Sequence, residues 1–263
     1  ASVYALKLDS FATVRLSSRD RADIQYLLKD NNEFLPDTSQ TFRRVPRRGL
    51  FRNFYRTPAH FFELNTTDFH LRVNPMFNFF LGRESGDSAV LFQNQRGLEI
   101  RGDLDKKLFF YTNVVESQAR FPSYVTQRVR ATSAVPGIGF FKGFKSKLLG
   151  VRDAYDFNVA TAYLGFQATR HFAIQLGHGK HFIGNGYRSM LLSDFSAPAF
   201  YLKLDTRVWR FHYQNLFLEL SPVSQVNIPD GILLPKKYAA IHYLNYKASP
   251  QLTFGFFEAT IFN

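Results

Sequence analysis

Apolar and polar residues alternate with a period of two through most of the chain after about residue 61. The clearest runs are Phe69–Asn74, Gly97–Arg101, Asp156–Tyr163, His171–Leu176 and Trp209–Gln214. A β-strand points successive side chains to opposite faces of its sheet, so this period predicts strands that have one apolar face. The strands that contain these runs are expected to be about ten residues long, which is the length that a tilted strand needs to cross a bilayer. The pattern predicts an all-β, antiparallel protein of roughly ten strands.

One of these runs changes phase near its middle. Beyond Asn215 the apolar positions move to Leu216, Leu218 and Leu220. An extra residue in one strand of a pair produces such a shift, because it turns the side chains that follow to the other face. The sequence therefore predicts a β-bulge or a twist of the strand near Asn215.

The connections between the runs are of two lengths. Short turns are expected at Glu84–Asp87, Gly102–Asp105 and Ala248–Pro250, where Gly, Asp, Ser and Pro cluster. Long loops are expected near 120–150, 178–198 and 221–236. Short turns at one rim and long loops at the other are typical of outer-membrane β-barrels.

The first 60 residues have a different pattern. Ser17 followed by Asp20 is a helix start signal, and a second short helix is predicted over Leu50–Arg56. We therefore expect two parts: a helical and irregular periplasmic or plug element over 1–60, and β-barrel strands over 61–263.

The aromatic content changes the interpretation of the strands. The chain has 30 Phe and 13 Tyr, but only one Trp and no Cys. A soluble β-sandwich or lipocalin-like barrel also alternates, but it must pack its aromatics in one interior. A transmembrane barrel has a lipid-facing band and two aromatic girdles that accept them. We therefore predict a transmembrane antiparallel outer-membrane β-barrel.

The net charge of +12 admits several partners. Nucleic acid, anionic lipid and anionic polysaccharide are all consistent with it, as is a basic lumen. The basic residues expected to face the lumen are Arg72, Arg101, Arg210 and His212. The alternative for these side chains is a plug in which they pair with acidic residues across the barrel.

The densest polar segment lies within the predicted loop 178–198. The candidate ligand-binding residues are His178, Lys180, His181, Asn185, Tyr187, Arg188, Ser189 and Asp194, and the candidate structural glycines are Gly177, Gly179, Gly184 and Gly186. Two interpretations remain open. In one, the loop folds inward, with its glycines at positive φ and its polar side chains bonded to the wall. In the other, the same Lys, Arg, Asn, His and Tyr side chains bind an anionic sugar.

Catalytic and cofactor motifs are not matched in this segment. Gly179-Lys180 lacks the spacing of a phosphate-binding loop, and Phe182 stands where a dinucleotide fingerprint requires glycine. His178, His181 and Asp194 are metal-ligand types, but nothing in the sequence fixes their geometry. Ser189 is not within a Gly-x-Ser-x-Gly elbow. We expect no catalytic residue, no metal and no cofactor.

Two motifs in this region resemble a known family. They are Phe-Ile-Gly-Asn-Gly-Tyr-Arg-Ser-x-Leu-Leu-Ser-Asp over Phe182–Asp194, and Tyr-Leu-Lys-Leu-x-Thr-x-Val-Trp-x-Phe-x-Tyr over Tyr201–Tyr213. Both are similar to the Wzi-like capsule-assembly family, nearest to the Bacteroidota branch that includes gliding-motility outer-membrane proteins of the RemB type. The resemblance implies a barrel of about eighteen strands with a helical N-terminal element. Tyr187 and Asp194-Phe195 depart from the tryptophan-rich enterobacterial pattern.

The expected function follows from the barrel and the resemblance together. We expect a non-enzymatic, multi-pass protein of a Gram-negative outer membrane that attaches or organises capsule or exopolysaccharide, or that serves a cell-surface gliding-motility or secretion assembly. Its expected partners are outer-membrane lipid, anionic surface polysaccharide and other secretion or motility proteins. The alternatives are a diffusion or transport pore and a basic soluble β-protein that binds nucleic acid. Because an apparent strand is still running at Thr260–Asn263, we expect the barrel to continue further.

Overall fold

The computed structural model describes a defined part of the chain. The described residues are 18, 49–55, 60–87, 89–146, 151–184, 188–221, 236–249 and 251–263. Apart from Ser18, the predicted N-terminal helix lies outside them, as do most of the loop 221–236 and the candidate residues Asn185, Gly186 and Tyr187. The chain forms two compact units, residues 1–74 and 75–263.

The first unit contains a short antiparallel strand pair. Strand β1 is Phe62–Asn65, and it pairs with the beginning of β2, which spans Phe69–Gly82. A 3-10 turn over Gly49–Phe51 precedes them. Among the residues described there, the short helix predicted over Leu50–Arg56 is limited to this 3-10 turn. The chain reverses at Tyr55, whose φ is 49°, and the amide of Tyr55 donates to the carbonyl of Phe61.

The second unit is an antiparallel sheet that continues from β2. Its further strands are β3 Leu91–Leu104, β4 Leu108–Arg120, β5 Lys142–Ser146, β6 Val151–Thr169, β7 Phe172–Gly179, β8 Ala199–Val208, β9 Phe211–Leu220, β10 Lys237–Lys247 and β11 Thr253–Phe262, with one α-helix, α1, over Ser123–Thr132. The order is β2-β3-β4-β6-β7-β8-β9-β10-β11, and β5 pairs with β6 off this path. The antiparallel all-β prediction is confirmed.

The sheet is open within the described residues. β11 pairs with β10 on one side, and no described strand pairs with its other side. The closure that a barrel requires is therefore not part of the described structure. Among the described residues, no helix is long and apolar enough to cross a bilayer.

Short turns and long loops lie at opposite ends of the strands. Residues 105–107, 170–171, 209–210 and 248–252 reverse the chain at one end, which we call the turn end. Residues 83–90, 121–150, 180–198 and 221–236 connect the strands at the other end, the loop end. Two of the predicted short turns lie at the turn end, although Gly102 and Asp103 belong to β3 and the turn follows at Asp105. The third, Glu84–Asp87, lies instead at the loop end, between β2 and β3.

One face of this sheet, the apolar face, presents large apolar side chains to its surroundings. Residues paired across antiparallel strands share a face, so the register assigns every side chain of β3, β4 and β6–β11. Exposed members, one from each strand, are Leu98, Val114, Leu164, Leu176, Phe200, Phe217, Tyr238 and Phe256. The result is an apolar surface that runs across the strands from β3 to β11.

The apolar face changes character at its two ends. Near the loop end it carries charged and polar residues, including Arg96, whose Nε lies 2.9 Å from Glu116 Oε2, and Asn158. At the turn end it carries aromatics. Phe211 stacks on Tyr246 with 4.8 Å between ring centroids, and Trp209 is 76% exposed beside them.

A polar cluster interrupts the apolar face on β9 and β10. Asn215 and His242 are directly paired across these strands. His242 Nδ1 lies 2.7 Å from Asn215 Oδ1 and 2.9 Å from the hydroxyl oxygen of Tyr213. The polar groups of this cluster therefore bond to one another, which lowers the cost of placing them among apolar side chains.

The opposite face, the polar face, carries its main apolar clusters near the loop end. Gln214, Leu216 and Leu218 of β9 lie on it in one unbroken register with β8 and β10. The bulge predicted near Asn215 is therefore wrong. The face becomes apolar there because Ile183, from the loop after β7, packs on Leu216 and Leu218.

Helix α1 covers a second apolar area of the polar face. Val129 is fully buried and packs in one cluster with Ala119 of β4 and Phe157 of β6. The carboxylate of Glu84 accepts hydrogen bonds from the amide and hydroxyl of Ser123, at 2.9 and 2.6 Å. A carboxylate at a helix N-terminus satisfies amides that have no partner within the helix and interacts favourably with the helix dipole.

Candidate functional site

The described residues of the loop 180–198, which are 180–184 and 188–198, fold onto the polar face. Ile183 and Leu192 form an isolated β-bridge, and the amide of Ile183 donates to the carbonyl of Leu192 at 2.9 Å. Ile183 is 6% exposed and Leu192 packs beside it against Tyr201 and the apolar part of β9 and β10. This supports the interpretation in which the loop folds inward.

Ser189 fastens this loop by hydrogen bonds. Its hydroxyl donates to the carbonyl of Ile183 and accepts from the amide of Leu191 at 3.0 Å. Gly184 lies beside it with φ of 147°, a backbone conformation that side chains other than glycine rarely adopt. A Cβ on Gly184 would approach Ser189 Oγ to 2.6 Å. Ser189 and Gly184 therefore have a structural role in shaping the loop.

Lys180 joins the loop to the segment that follows α1. Its Nζ donates to the carbonyl of Gly137 at 2.5 Å. The ammonium group therefore links two long connections at the loop end. An apolar cavity of about 230 Å³ lies under the loop, between Leu191 and Leu192 on one side and Leu218, Ile241 and Phe257 on the other.

His181 is held in the interior of the loop by an aromatic contact. Its ring packs edge-on against Tyr201, with 4.1 Å between centroids. Burial, and secondly the positive charge of Lys203, lower the pKa of His181 from 6.5 to about 4. The imidazole is therefore neutral at neutral pH, and it does not add a cation to the loop.

The remaining described candidates of this segment do not lie together in one site. Gly177, His178 and Gly179 belong to β7, so the predicted loop 178–198 starts two residues too early. His178 lies on the apolar face and donates from Nδ1 to the carbonyl of Ala160 at 2.8 Å, whereas His181 lies on the polar face. Arg188 and Asp194 are exposed. In the described part of the chain, no group of His, Asp and Glu could hold a metal ion.

The residues predicted to make a basic lumen are placed differently from one another. In the first unit, Arg72 lies opposite Glu63. In the second unit, Arg101 lies on the polar face, with its Nε 3.9 Å from Glu99. His212 is on the same face.

Arg210 is the exception, because it lies in the turn between β8 and β9. Its guanidinium donates to the carbonyl of Ala248 at 2.8 Å and lies 5.2 Å from the centre of the Trp209 ring. The prediction that it lies on a strand facing the lumen is wrong. Trp209, with φ of 51°, is part of the reversal, and the alternating strand begins only at Phe211.

Sequence reasoning missed a cavity at the turn end of the polar face. Its volume is about 440 Å³, and it is lined by the turn Arg170–His171 and by Gln175, Lys203, Asp205 and Arg207 among others. The available signal was the spacing Lys203-x-Asp205-x-Arg207, which places three charged residues on one face of a strand. The partner strand and the turn come from positions that the local pattern does not connect.

The sequence and structure were compared with known proteins. No protein-family model matches the sequence, no curated protein matches it, and no solved structure matches the fold.

Proposed function

We propose that the chain forms wall strands of an outer-membrane β-barrel that attaches anionic surface polysaccharide and carries out no catalysis. The observation that carries this proposal is the apolar face of the second unit. Large apolar side chains are exposed on eight strands of one sheet, from Leu98 on β3 to Phe256 on β11. Such an extended apolar surface is rare on soluble monomers and matches the lipid-facing band of a barrel.

The two ends of the apolar face support the same proposal. Aromatic residues at the turn end, such as Trp209, Phe211 and Tyr246, are the residue types found where a bilayer meets water. Polar residues at the loop end, such as Arg96 and Glu116, suit strands that extend beyond the hydrocarbon region. The apolar part of the face lies between these two zones.

The choice of polysaccharide rests on charge and on the family resemblance. The chain has a net charge of +12, so a polyanion gains from long-range attraction. The resemblance to capsule-assembly proteins in Phe182–Asp194 points to the same class of partner. Packing of α1 and the loop 180–198 on the polar face speaks against an open pore, because both cover that face at the loop end.

Labelling of single cysteines tests the membrane part of the proposal, and the natural absence of cysteine makes it direct. Leu164→Cys and Asn158→Cys lie on the same strand and the same face. In lipid vesicles, a water-soluble maleimide is expected to label position 158 and to spare position 164 until detergent is added. Equal labelling of both positions in vesicles would show that the apolar face does not contact lipid.

A binding measurement tests the polysaccharide part. The purified chain in detergent is titrated with an anionic exopolysaccharide and with a neutral polysaccharide of similar length. Binding of the anionic polymer that weakens with salt supports the proposal. Absence of binding, together with a protein that co-purifies in fixed proportion, would instead support a role in a secretion or motility assembly.

A further inference from the structure

The cavity at the turn end of the polar face has the composition of a binding site. It is formed by β4, β6, β7 and β8, and the register places Gln175 directly opposite Lys203 and Ala173 directly opposite Asp205. The small side chain of Ala173 leaves open space between the longer ones. At about 440 Å³ the cavity has room for one or two sugar residues, since small-molecule sites in proteins have volumes of roughly 300–1,000 Å³.

Positive charge exceeds negative charge around this cavity. The only carboxylate among its lining residues is that of Asp205, and it is already occupied: Oδ1 lies 3.0 Å from Arg207 Nε, and Oδ2 lies 2.8 Å from His212 Nε2. Among the described residues, neither Arg170 nor Lys203 forms a salt bridge with a carboxylate. The cavity therefore offers two cations to an incoming anion.

The turn orients the guanidinium of Arg170 through His171. Its Nδ1 donates to the carbonyl of Arg207 at 2.7 Å, and its Nε2 then accepts a hydrogen bond from Arg170 Nε at 2.8 Å. Both bonds are satisfied together by the neutral tautomer that carries its proton on Nδ1. The terminal nitrogens of Arg170 remain available for a ligand, and a guanidinium fixed in this way loses less entropy when it binds.

An aromatic ring supplies an apolar surface in the same cavity. Phe109 lies directly on the backbone of Gly165, where a Cβ would come within 2.1 Å of the ring. Amide groups of Gln167 and Gln175 line the cavity beside it. Cations, amides and one aromatic surface match the three parts of an acidic sugar: its carboxylate, its hydroxyl groups and the apolar C–H face of its ring.

We propose that this cavity is a binding site for a hexuronate residue of an anionic polysaccharide, with Lys203 and Arg170 on the carboxylate and Phe109 under the sugar ring. The cavity lies toward the turn end and includes the turn residue Arg170, whereas its Lys203 is close enough to the loop 180–198 for its positive charge to lower the pKa of His181. The inference deepens the proposed function and rests on polysaccharide as the partner, but it does not depend on what the apolar face contacts.

The test is calorimetric titration of the whole purified chain with a hexuronate trisaccharide. Lys203→Gln and Arg170→Gln are each expected to weaken binding about tenfold or more, as removal of one charge-assisted hydrogen bond does. Arg130→Gln, which removes the same charge from the exposed face of α1, is expected to leave the affinity unchanged. Unchanged far-ultraviolet circular dichroism of each variant excludes a folding defect.

Three further outcomes decide the assignment. A neutral trisaccharide is expected to bind at least tenfold more weakly than the hexuronate. Inorganic phosphate that binds as tightly as the hexuronate would overturn the assignment to a sugar. Polysaccharide binding that Lys203→Gln leaves intact would place the site elsewhere, and in that case the proposed function would stand without this cavity.

Discussion

At the scale of single residues, the loop 180–198 depends on a glycine in an unusual conformation. Gly184 has φ of 147°, and its missing side chain makes room for the hydroxyl of Ser189. Because Ser189 bonds to both Ile183 and Leu191, a displacement of its hydroxyl would disturb the loop at several points.

Gly184→Ala is therefore expected to loosen the loop. The strained φ alone costs about 1–3 kcal/mol, and the clash with Ser189 adds to it. Hydrogen exchange of the Ile183 amide measures the effect, since this amide bonds to Leu192. Gly143→Ala is the matched control, because a Cβ there meets open space. Equal exchange rates in the two variants would contradict the structural role of Gly184.

The buried imidazole of His181 predicts a pH dependence of the same loop. Its pKa is about 4 in the folded chain against 6.5 for an ordinary histidine. Between these values the unfolded chain binds more protons than the folded one, so stability falls as the pH falls from about 6.5 to about 4. This loss of stability is absent above pH 6.5, where His181 is neutral in both the folded and the unfolded chain.

His181→Phe removes the titrating group while keeping a ring against Tyr201. Chemical denaturation of both proteins from pH 7 to pH 4 is expected to show that the wild type loses stability relative to the variant within this window. A stability difference that stays constant across the window would mean that His181 does not titrate as the structure indicates.

At the scale of elements, the strands could be predicted from the sequence, but the regular course of β9 past Asn215 could not. Alternation identified β2, β3, β6, β7 and β9 because each has one apolar face and one polar face. The predicted bulge near Asn215 is wrong because the register is unbroken, so Leu216 and Leu218 lie on the polar face with Gln214. Apolar residues occur at these positions because Ile183, from a distant loop, covers them. A local pattern carries no information about such a contact.

The same reasoning explains what was missed at the candidate site. The sequence identified the polar segment around Lys180 but did not show that β7 extends to Gly179, which places His178 and His181 on opposite faces. The cavity near Lys203 joins a turn and four strands through pairing across the sheet. Its residues are separated in sequence, so their proximity depends on register.

Helix α1 is expected to depend on its single fully buried side chain. Val129→Ala removes contacts with Ala119 and Phe157 and should lower the free energy of unfolding by an amount on the order of 1–3 kcal/mol. Arg130→Ala, at the exposed neighbouring position, is the control and should change it by less than about 0.5 kcal/mol. Denaturant midpoints measure both, and equal midpoints would show that α1 is not packed on the sheet.

At the scale of the whole sheet, the main question is what surrounds the apolar face. Leu164 is 51% exposed on it, in the same strand as Asn158. Composition and alternation predicted a lipid-facing band from the sequence alone, and the structure adds that β3, β4 and β6–β11 each place an exposed apolar residue on the same face. The open order of the described strands leaves the closed barrel as part of the proposal.

A charged substitution on the apolar face tests whether lipid or water contacts it. In lipid vesicles, Leu164→Arg is expected to destabilise the fold by about 2–4 kcal/mol, the cost of a cation in the hydrocarbon region. In water, an exposed substitution of this kind changes stability by about 0.5 kcal/mol or less. Asn158→Arg, near the loop end, is expected to be tolerated in both. A small effect of Leu164→Arg in vesicles would contradict the membrane assignment.

The hydrogen bond from Lys180 to Gly137 has a consequence for the order of folding. Hairpins joined by short turns, such as β8–β9, bring together residues that are close in sequence and so form rapidly. Lys180 reaches Gly137 only after β6 and β7 have paired, because those strands set its position. Synthesis that stalls before β7 would leave the carbonyl of Gly137 without this hydrogen bond, so the contact forms only after the β6–β7 hairpin.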